Sequence, residues 1–77
     1  MTSFSEIVRK MRLLIDEFRK ENVDCSSMTG ERKLRIYFPN RTLTEETLAR
    51  VCVAASIPRD SVELEDAAPG YVLHWRG

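Results

Sequence analysis

The sequence predicts an α+β fold with two helices packed on one face of a three- or four-stranded, mostly antiparallel sheet. Two segments with helical periodicity and two segments with strand alternation lead to this prediction. The clearest alternation lies in residues 61–77, on both sides of Pro69-Gly70, and is typical of a β-hairpin with one buried face. Its apolar positions are Val62, Leu64, Tyr71, Leu73 and Trp75. With 77 residues, the chain has enough apolar surface for one core, so we predict a single domain over residues 1–77.

The first helix is predicted over residues 4–21, where apolar residues recur every three or four positions. Ser3 and Glu6 have the spacing of a capping box at its start. Basic and acidic residues are interspersed on the outer surface. We therefore interpret that surface as a solvated face with ion pairs such as Asp16 with Lys20, rather than as a basic docking surface. The apolar positions are Phe4, Ile7, Val8, Met11, Leu14, Ile15 and Phe18.

A strand is predicted over residues 33–38, after a turn at residues 29–32. Residues 23–28 also alternate, but serine and cysteine give this segment only modest β propensity. It is either an extra edge strand or a loop. The order of elements is therefore α-β-α-β-β or α-ββ-α-ββ.

The second helix is predicted over residues 44–56. Thr44 can cap its first turn, and Leu43 and Leu48 occupy the two positions of a hydrophobic staple. Pro58 is expected to stop the helix, because proline disfavours a continuing helical chain.

The cysteines and histidine do not have the spacing of a metal site. Zinc sites in proteins use paired Cys or His ligands, whereas this chain has two distant cysteines and one histidine. We expect no metal and no cofactor. Cys25 and Cys52 are expected to be reduced thiols of a cytoplasmic protein, and Cys52 to be a small core residue rather than a nucleophile. The first residues have no apolar core of the kind found in signal sequences, so we expect no such leader, and no apolar run is long enough to span a membrane.

One face of the predicted sheet is left uncovered by the two helices. Residues on that face are candidates for binding, because a two-layer α+β fold leaves one sheet surface facing water or a partner. Catalysis is not expected: a histidine on a strand, even beside a glutamate, more commonly forms a surface ion pair than an active site. The candidate residues are Arg35, Tyr37, Glu63, Glu65, Val72, His74 and Arg76.

The charge balance favours protein binding over nucleic-acid binding. Lysine plus arginine equals aspartate plus glutamate at 12 each, whereas a dedicated nucleic-acid binder usually has a basic excess. We therefore expect a small non-enzymatic module that binds another protein stoichiometrically, with homodimerisation as a further option. Such a module could be a regulator, an inhibitor of the kind that phages and other mobile elements encode, or an assembly factor.

The alternative is a nucleic-acid-binding module. It would use the exposed sheet face, with Arg9, Arg12 and Arg19 of the first helix as additional cations. A winged helix-turn-helix is disfavoured because Glu63 and Glu65 would make a poor recognition helix.

Overall fold

The structure, a computed structural model, describes residues 3–28 and 33–75 and shows an α+β fold. Two helices pack with a four-stranded antiparallel sheet, so the chain has the order α-β-β-α-β-β, the second of the two predicted orders. The helices are α1 (Phe4–Lys20) and α2 (Glu45–Ala54), and a 3-10 turn occupies Arg59–Ser61. The strands are β1 (Ser26–Met28), β2 (Leu34–Phe38), β3 (Val62–Ala67) and β4 (Gly70–Trp75). The predicted turn at 29–32 lies outside the described residues.

The strands lie in the order β1-β2-β4-β3, and every neighbouring pair is antiparallel. The C-terminal hairpin therefore returns to the centre of the sheet, where β4 pairs with β2 as well as with β3. In the central register, Leu73 lies opposite Ile36 on one side and opposite Leu64 on the other. The predicted C-terminal hairpin is present, and β3 is left as an edge strand.

The core lies between the helices and one face of the sheet. Alternate residues of β2 point into it, and the rings of Phe18 in α1 and Phe38 in β2 meet edge to face with centroids 4.9 Å apart. Such aromatic contacts add to the stabilisation that apolar burial provides. The largest fully buried side chains are those of Phe18, Phe38, Leu14, Leu34, Ile36, Leu48, Leu73, Val51 and Cys52.

The predicted start of each helix is confirmed. The Thr44 side chain accepts a hydrogen bond from the Thr47 backbone N–H at 3.2 Å, and Ser3 caps α1 in the same way. Leu43 and Leu48 are both buried, as a hydrophobic staple requires. These local contacts fix where the chain enters each helix.

The end of α1 explains why the first strand is shorter than the segment 23–28. Asn22 adopts a left-handed conformation (φ 60°), and the N–H of Val23 donates to the Phe18 carbonyl at 3.0 Å. This is a Schellman motif, with Val23 buried against the core. Because the residues just after the helix serve its termination, pairing with β2 begins only at Ser26.

The end of α2 repeats this arrangement and corrects the prediction that Pro58 stops the helix at residue 56. Ser56 is left-handed (φ 55°), and the N–H of Ile57 donates to the Cys52 carbonyl at 2.9 Å. The helix thus ends at Ala54 through a second Schellman motif. Pro58 instead precedes the 3-10 turn.

Polar contacts also join the two helices. Lys10 Nζ donates to the carbonyl oxygens of Ala55 (3.0 Å) and Ser56 (3.4 Å), at the end of α2. Arg50 Nη2 lies 2.7 Å from Glu21 Oε1. These contacts hold α1 beside α2 on the same side of the sheet.

Two expectations for the surface of α1 were wrong. Lys20 pairs with Glu17 at 2.9 Å, rather than with Asp16, since residues three apart are also neighbours on a helix. Phe4, which fits the apolar periodicity, is 57% exposed because the first turn carries it away from the core.

Candidate functional site

The candidate site is the sheet surface that faces away from the helices, here called the open face. Residues adjacent to Arg35 and Tyr37 in β2 point into the core, so these two side chains point the opposite way. The same alternation applies in β3 and β4. Arg76 lies outside the described residues. The open face contains Arg35, Tyr37, Glu63, Glu65, Val72 and His74.

The strand register arranges these side chains in two rows across the sheet. In one row, His74 in β4 lies between Arg35 in β2 and Glu63 in β3. In the other, Val72 lies between Tyr37 and Glu65. The structure therefore brings together six of the seven predicted residues, with β4 in the middle.

His74 forms a polar contact with Glu65. Its Nε2 lies 2.7 Å from Glu65 Oε2, across the diagonal between the two rows. The Glu65 side chain is 68% exposed, so water has access to the pair. A pair of this kind typically contributes about 0–1 kcal/mol to stability. The contact resembles an ordinary surface pair, as expected from the sequence.

Val72 gives the open face an apolar centre. It is only 8% exposed even though it points away from the helices. Its register neighbours Tyr37 and Glu65 stand on either side of it. The sequence placed Val72 on this face but gave no signal that it would be buried there, because that burial depends on side chains from two other strands.

Arg35 differs from the arginines that form ion pairs. It is half-buried, and its Nε is shielded from solvent with no hydrogen-bond partner among residues 3–28 and 33–75. By contrast, Arg41, Arg50 and Arg59 each have a carboxylate oxygen within 2.7 Å. A shielded donor without a partner is unfavourable, and Arg35 takes part in none of the ion pairs between described residues. The terminal N–H groups of its half-buried guanidinium are therefore suited to donate to an acceptor of another molecule.

No family model, curated protein or solved structure matches this chain. The functional interpretation therefore rests on the chemistry of the open face.

The cysteines offer no reactive centre. Both are free thiols, and Cys52 is 1% exposed in the core, which confirms its predicted packing role. Burial raises the pKa of the Cys52 thiol and also that of Cys25. A raised pKa reduces the thiolate fraction at neutral pH, so these environments disfavour nucleophilic chemistry.

Two further observations limit what the described part of the chain can do. Within residues 3–28 and 33–75, His, Cys, Asp and Glu side chains form no group of three or more that could hold a metal ion. Neither α1 nor α2 combines the length and the apolar composition needed to cross a bilayer.

Gly70 and Arg59 have structural roles that the sequence did not predict, although it placed Gly70 at the hairpin turn. A Cβ at Gly70 would lie 2.8 Å from the Asn40 nitrogen and closer still to the Phe38 carbonyl oxygen. Arg59 holds both carboxylate oxygens of Glu45, at 2.6 and 2.7 Å, and donates to the Val62 carbonyl. Both roles arise from contacts between residues distant in sequence, so local patterns do not predict them.

Proposed function

We propose that this protein is a small, non-enzymatic, cytoplasmic protein-binding module that acts stoichiometrically as a regulator, inhibitor or assembly factor through its open face. The observation that carries the proposal is Arg35, whose Nε has no hydrogen-bond partner among residues 3–28 and 33–75, in the row next to Tyr37 and Val72. This combination of arginine, tyrosine and an apolar centre is common at the energetic centres of protein interfaces.

The chemistry of the partner follows from Arg35. An aspartate or glutamate side chain, or a backbone carbonyl, would accept a charge-assisted hydrogen bond from the guanidinium group. Tyr37 and Val72 would supply apolar contact around it. Binding of the partner would exclude water from a surface where Val72 already has little contact with solvent. A hydrogen bond from Arg35 is stronger in such a less hydrated environment.

A non-enzymatic role is supported by the environment of His74 and Glu65. A general acid or base works in a site where the substrate is positioned and water is controlled. Glu65 is mostly exposed, and the pair lies on a sheet surface. Binding by a flat surface fits this geometry better than turnover does.

Nucleic-acid binding is the second candidate, supported by Arg35, Tyr37 and His74 on one sheet face. Bases can stack on such side chains. However, Glu63 and Glu65 lie on the same face and would repel phosphates. The helices pack on the opposite face, so arginines of α1 cannot extend this surface as one continuous basic patch.

Affinity capture with and without nuclease tests the proposal. The purified protein is used as bait, bound proteins are identified by mass spectrometry, and light scattering gives the stoichiometry of the reconstituted complex. We expect a nuclease-resistant complex of defined stoichiometry. Capture that disappears after nuclease treatment, together with a steep loss of affinity as salt rises, would favour the nucleic-acid alternative.

A matched pair of variants assigns the surface. Arg35→Met removes the guanidinium while keeping an apolar stem, and should weaken partner binding at least tenfold, as for a hot-spot residue. Arg50→Met makes the same chemical change on α2, away from the open face, and should leave affinity unchanged. Equal binding by wild type and the Arg35 variant would show that the open face is not the contact surface.

A further inference from the structure

The outer edge of β3 offers a second mode of binding, through its backbone, and it adjoins the open face, with which it shares Glu63, Glu65 and His74. In the strand order β1-β2-β4-β3, this strand pairs with β4 on one side, and no strand of residues 3–28 and 33–75 lies on the other. An edge strand presents backbone N–H and C=O groups with which an extended peptide can pair. An open groove of about 690 Å³ runs beside it, lined by Arg59, Val62, Glu63, Leu64, Glu65 and His74.

The side chains along β3 define what a docked strand would meet. Glu63 and Glu65 are exposed on the open face, while Leu64 points toward the helices and is only partly buried at the margin of the core. A strand paired with β3 would place one residue beside Leu64 and its two neighbours beside the glutamates. Cross-strand pairs of opposite charge and of apolar residues are the favourable combinations.

We propose that the β3 edge binds an extended segment of a partner protein with the pattern basic–apolar–basic, by strand addition. This assignment rests on the protein-binding function proposed above and adds the chemistry of the partner segment. The apolar residue would cover the exposed part of Leu64, and the two basic side chains would lie near Glu63 and Glu65. Backbone pairing supplies affinity and these three side chains supply selectivity.

The charge of β3 argues against a second copy of this chain as the occupant. Two β3 strands paired with each other would bring Glu63, Glu65 and Asp66 of one copy close to the same acidic residues of the other. Like charges in opposed strands destabilise pairing. The chain does contain a basic–apolar–basic segment at residues 33–35, but β2 already has strand neighbours on both sides.

Arg59 does not reverse the acidic character of the groove. Its guanidinium is held by both carboxylate oxygens of Glu45, so its charge is balanced within the protein. It also donates to the carbonyl of Val62, at the first residue of the strand. Arg59 thus marks one end of the edge, and the pattern Glu63-Leu64-Glu65 follows it, with Glu65 also in contact with His74 through one carboxylate oxygen.

Titration of the labelled protein with synthetic peptides, followed by NMR amide shifts, tests this inference. The probe has the central sequence Lys-Val-Lys. One control peptide replaces both lysines with glutamate, and a second keeps the lysines but carries backbone N-methyl groups that prevent strand pairing. We expect the largest shifts along residues 62–66, binding by the first peptide alone, and affinity about threefold to tenfold weaker for a Glu63→Gln/Glu65→Gln variant.

Three outcomes would overturn the inference. They are equal binding by the N-methylated peptide, shifts centred on Arg35 and Tyr37 instead of β3, or no binding by the lysine peptide. Shifts centred on Arg35 and Tyr37 would place the peptide on the open face, whereas the other two outcomes leave the open-face proposal to be judged by capture of a partner and by Arg35→Met. The opposite combination is also informative. If the peptide binds at β3 but no partner is captured through the open face, the β3 edge is the binding surface.

Discussion

The two faces of the sheet are built from alternate residues of the same strands, yet different interactions hold them in place. On the helix-covered face, Leu34, Ile36 and Leu73 are at most 1% exposed. On the open face, Arg35 and His74 keep partial contact with solvent, and only Val72 is buried. Packing requires apolar residues on the first face, whereas the second face can carry polar side chains.

The largest effect is expected at Gly70, the first residue of β4, because its backbone lies close to that of Phe38 and Asn40. Gly70→Ala would push a methyl group into the backbone at Phe38 and Asn40, which cannot move aside as a flexible side chain could. We expect a loss of about 3 kcal/mol in the free energy of unfolding, measured by urea denaturation. Ala68→Ser, at an exposed position of the same hairpin turn, is the control and should change stability by less than about 0.5 kcal/mol. A fully stable Gly70→Ala protein would contradict this close approach.

A pair of adjacent truncations in β4 compares the two faces directly. Leu73→Ala leaves a cavity under the helices and should cost about 2–5 kcal/mol. Val72→Ala on the open face removes less apolar surface, and solvent or neighbouring side chains can fill the space, so we expect about 1 kcal/mol. Both values come from the same denaturation experiment. Equal costs would mean that another layer covers the open face in solution, as in a homodimer.

Substitutions at the C-terminal ends of the two helices should change the free energy of unfolding by a smaller amount, and in the stabilising direction. Ser56 is left-handed, a conformation that glycine adopts without the steric cost that serine incurs. Ser56→Gly should raise the free energy of unfolding by about 0.5–1 kcal/mol. Asn22→Gly is the matched comparison and should gain less, because asparagine tolerates this conformation better. Destabilisation of the Ser56 variant would show that its φ differs in solution.

The smallest effect is expected from the exposed pair between Glu45 and Arg59. The hydrogen bond from Arg59 lowers the pKa of the Glu45 carboxyl. The pair therefore stabilises the fold above the ordinary pKa of glutamate, and this contribution disappears as pH falls through the lowered folded-state value. The difference in thermal midpoint between wild type and Glu45→Gln should be small at neutral pH and vanish in acid.

Glu46→Gln is the control for this pH experiment. Both glutamates lie in the first turn of α2 and interact with its dipole, but the bidentate contact with Arg59 belongs to Glu45. An identical pH profile for the two variants would show that the helix dipole, and not Arg59, produces the effect.

Much of the fold could be predicted because its signals are local. The capping residues Ser3 and Thr44 and the alternation around Pro69-Gly70 each act within a few residues of chain, and all are confirmed. The sequence left open whether residues 71–75 lie beside the strand 33–38 or at the edge of the sheet, because that choice depends on contacts between distant segments; in the structure β4 lies between β2 and β3. The end of α2 was misplaced because Ser56 is an uncommon residue for a left-handed position.

The candidate site was predictable to the same extent. Alternation identified which side chains share the open face, since a strand turns successive residues to opposite sides. It could not show that Val72 would be buried or that the Arg35 Nε would have no partner among the described residues. Both facts depend on how side chains from neighbouring strands pack against one another, and the proposed function rests on them.

The contact of Lys10 with the end of α2 has a consequence for chemical modification. Its ammonium group reaches two backbone carbonyl oxygens, those of Ala55 and Ser56, which belong to a helix terminus that carries partial negative charge. A rotatable ammonium group suits two diverging acceptors, whereas the rigid planar fork of arginine suits parallel ones. Acetylation of this one amine would remove its charge and weaken the contact between α1 and the end of α2, without changing any side chain of the core.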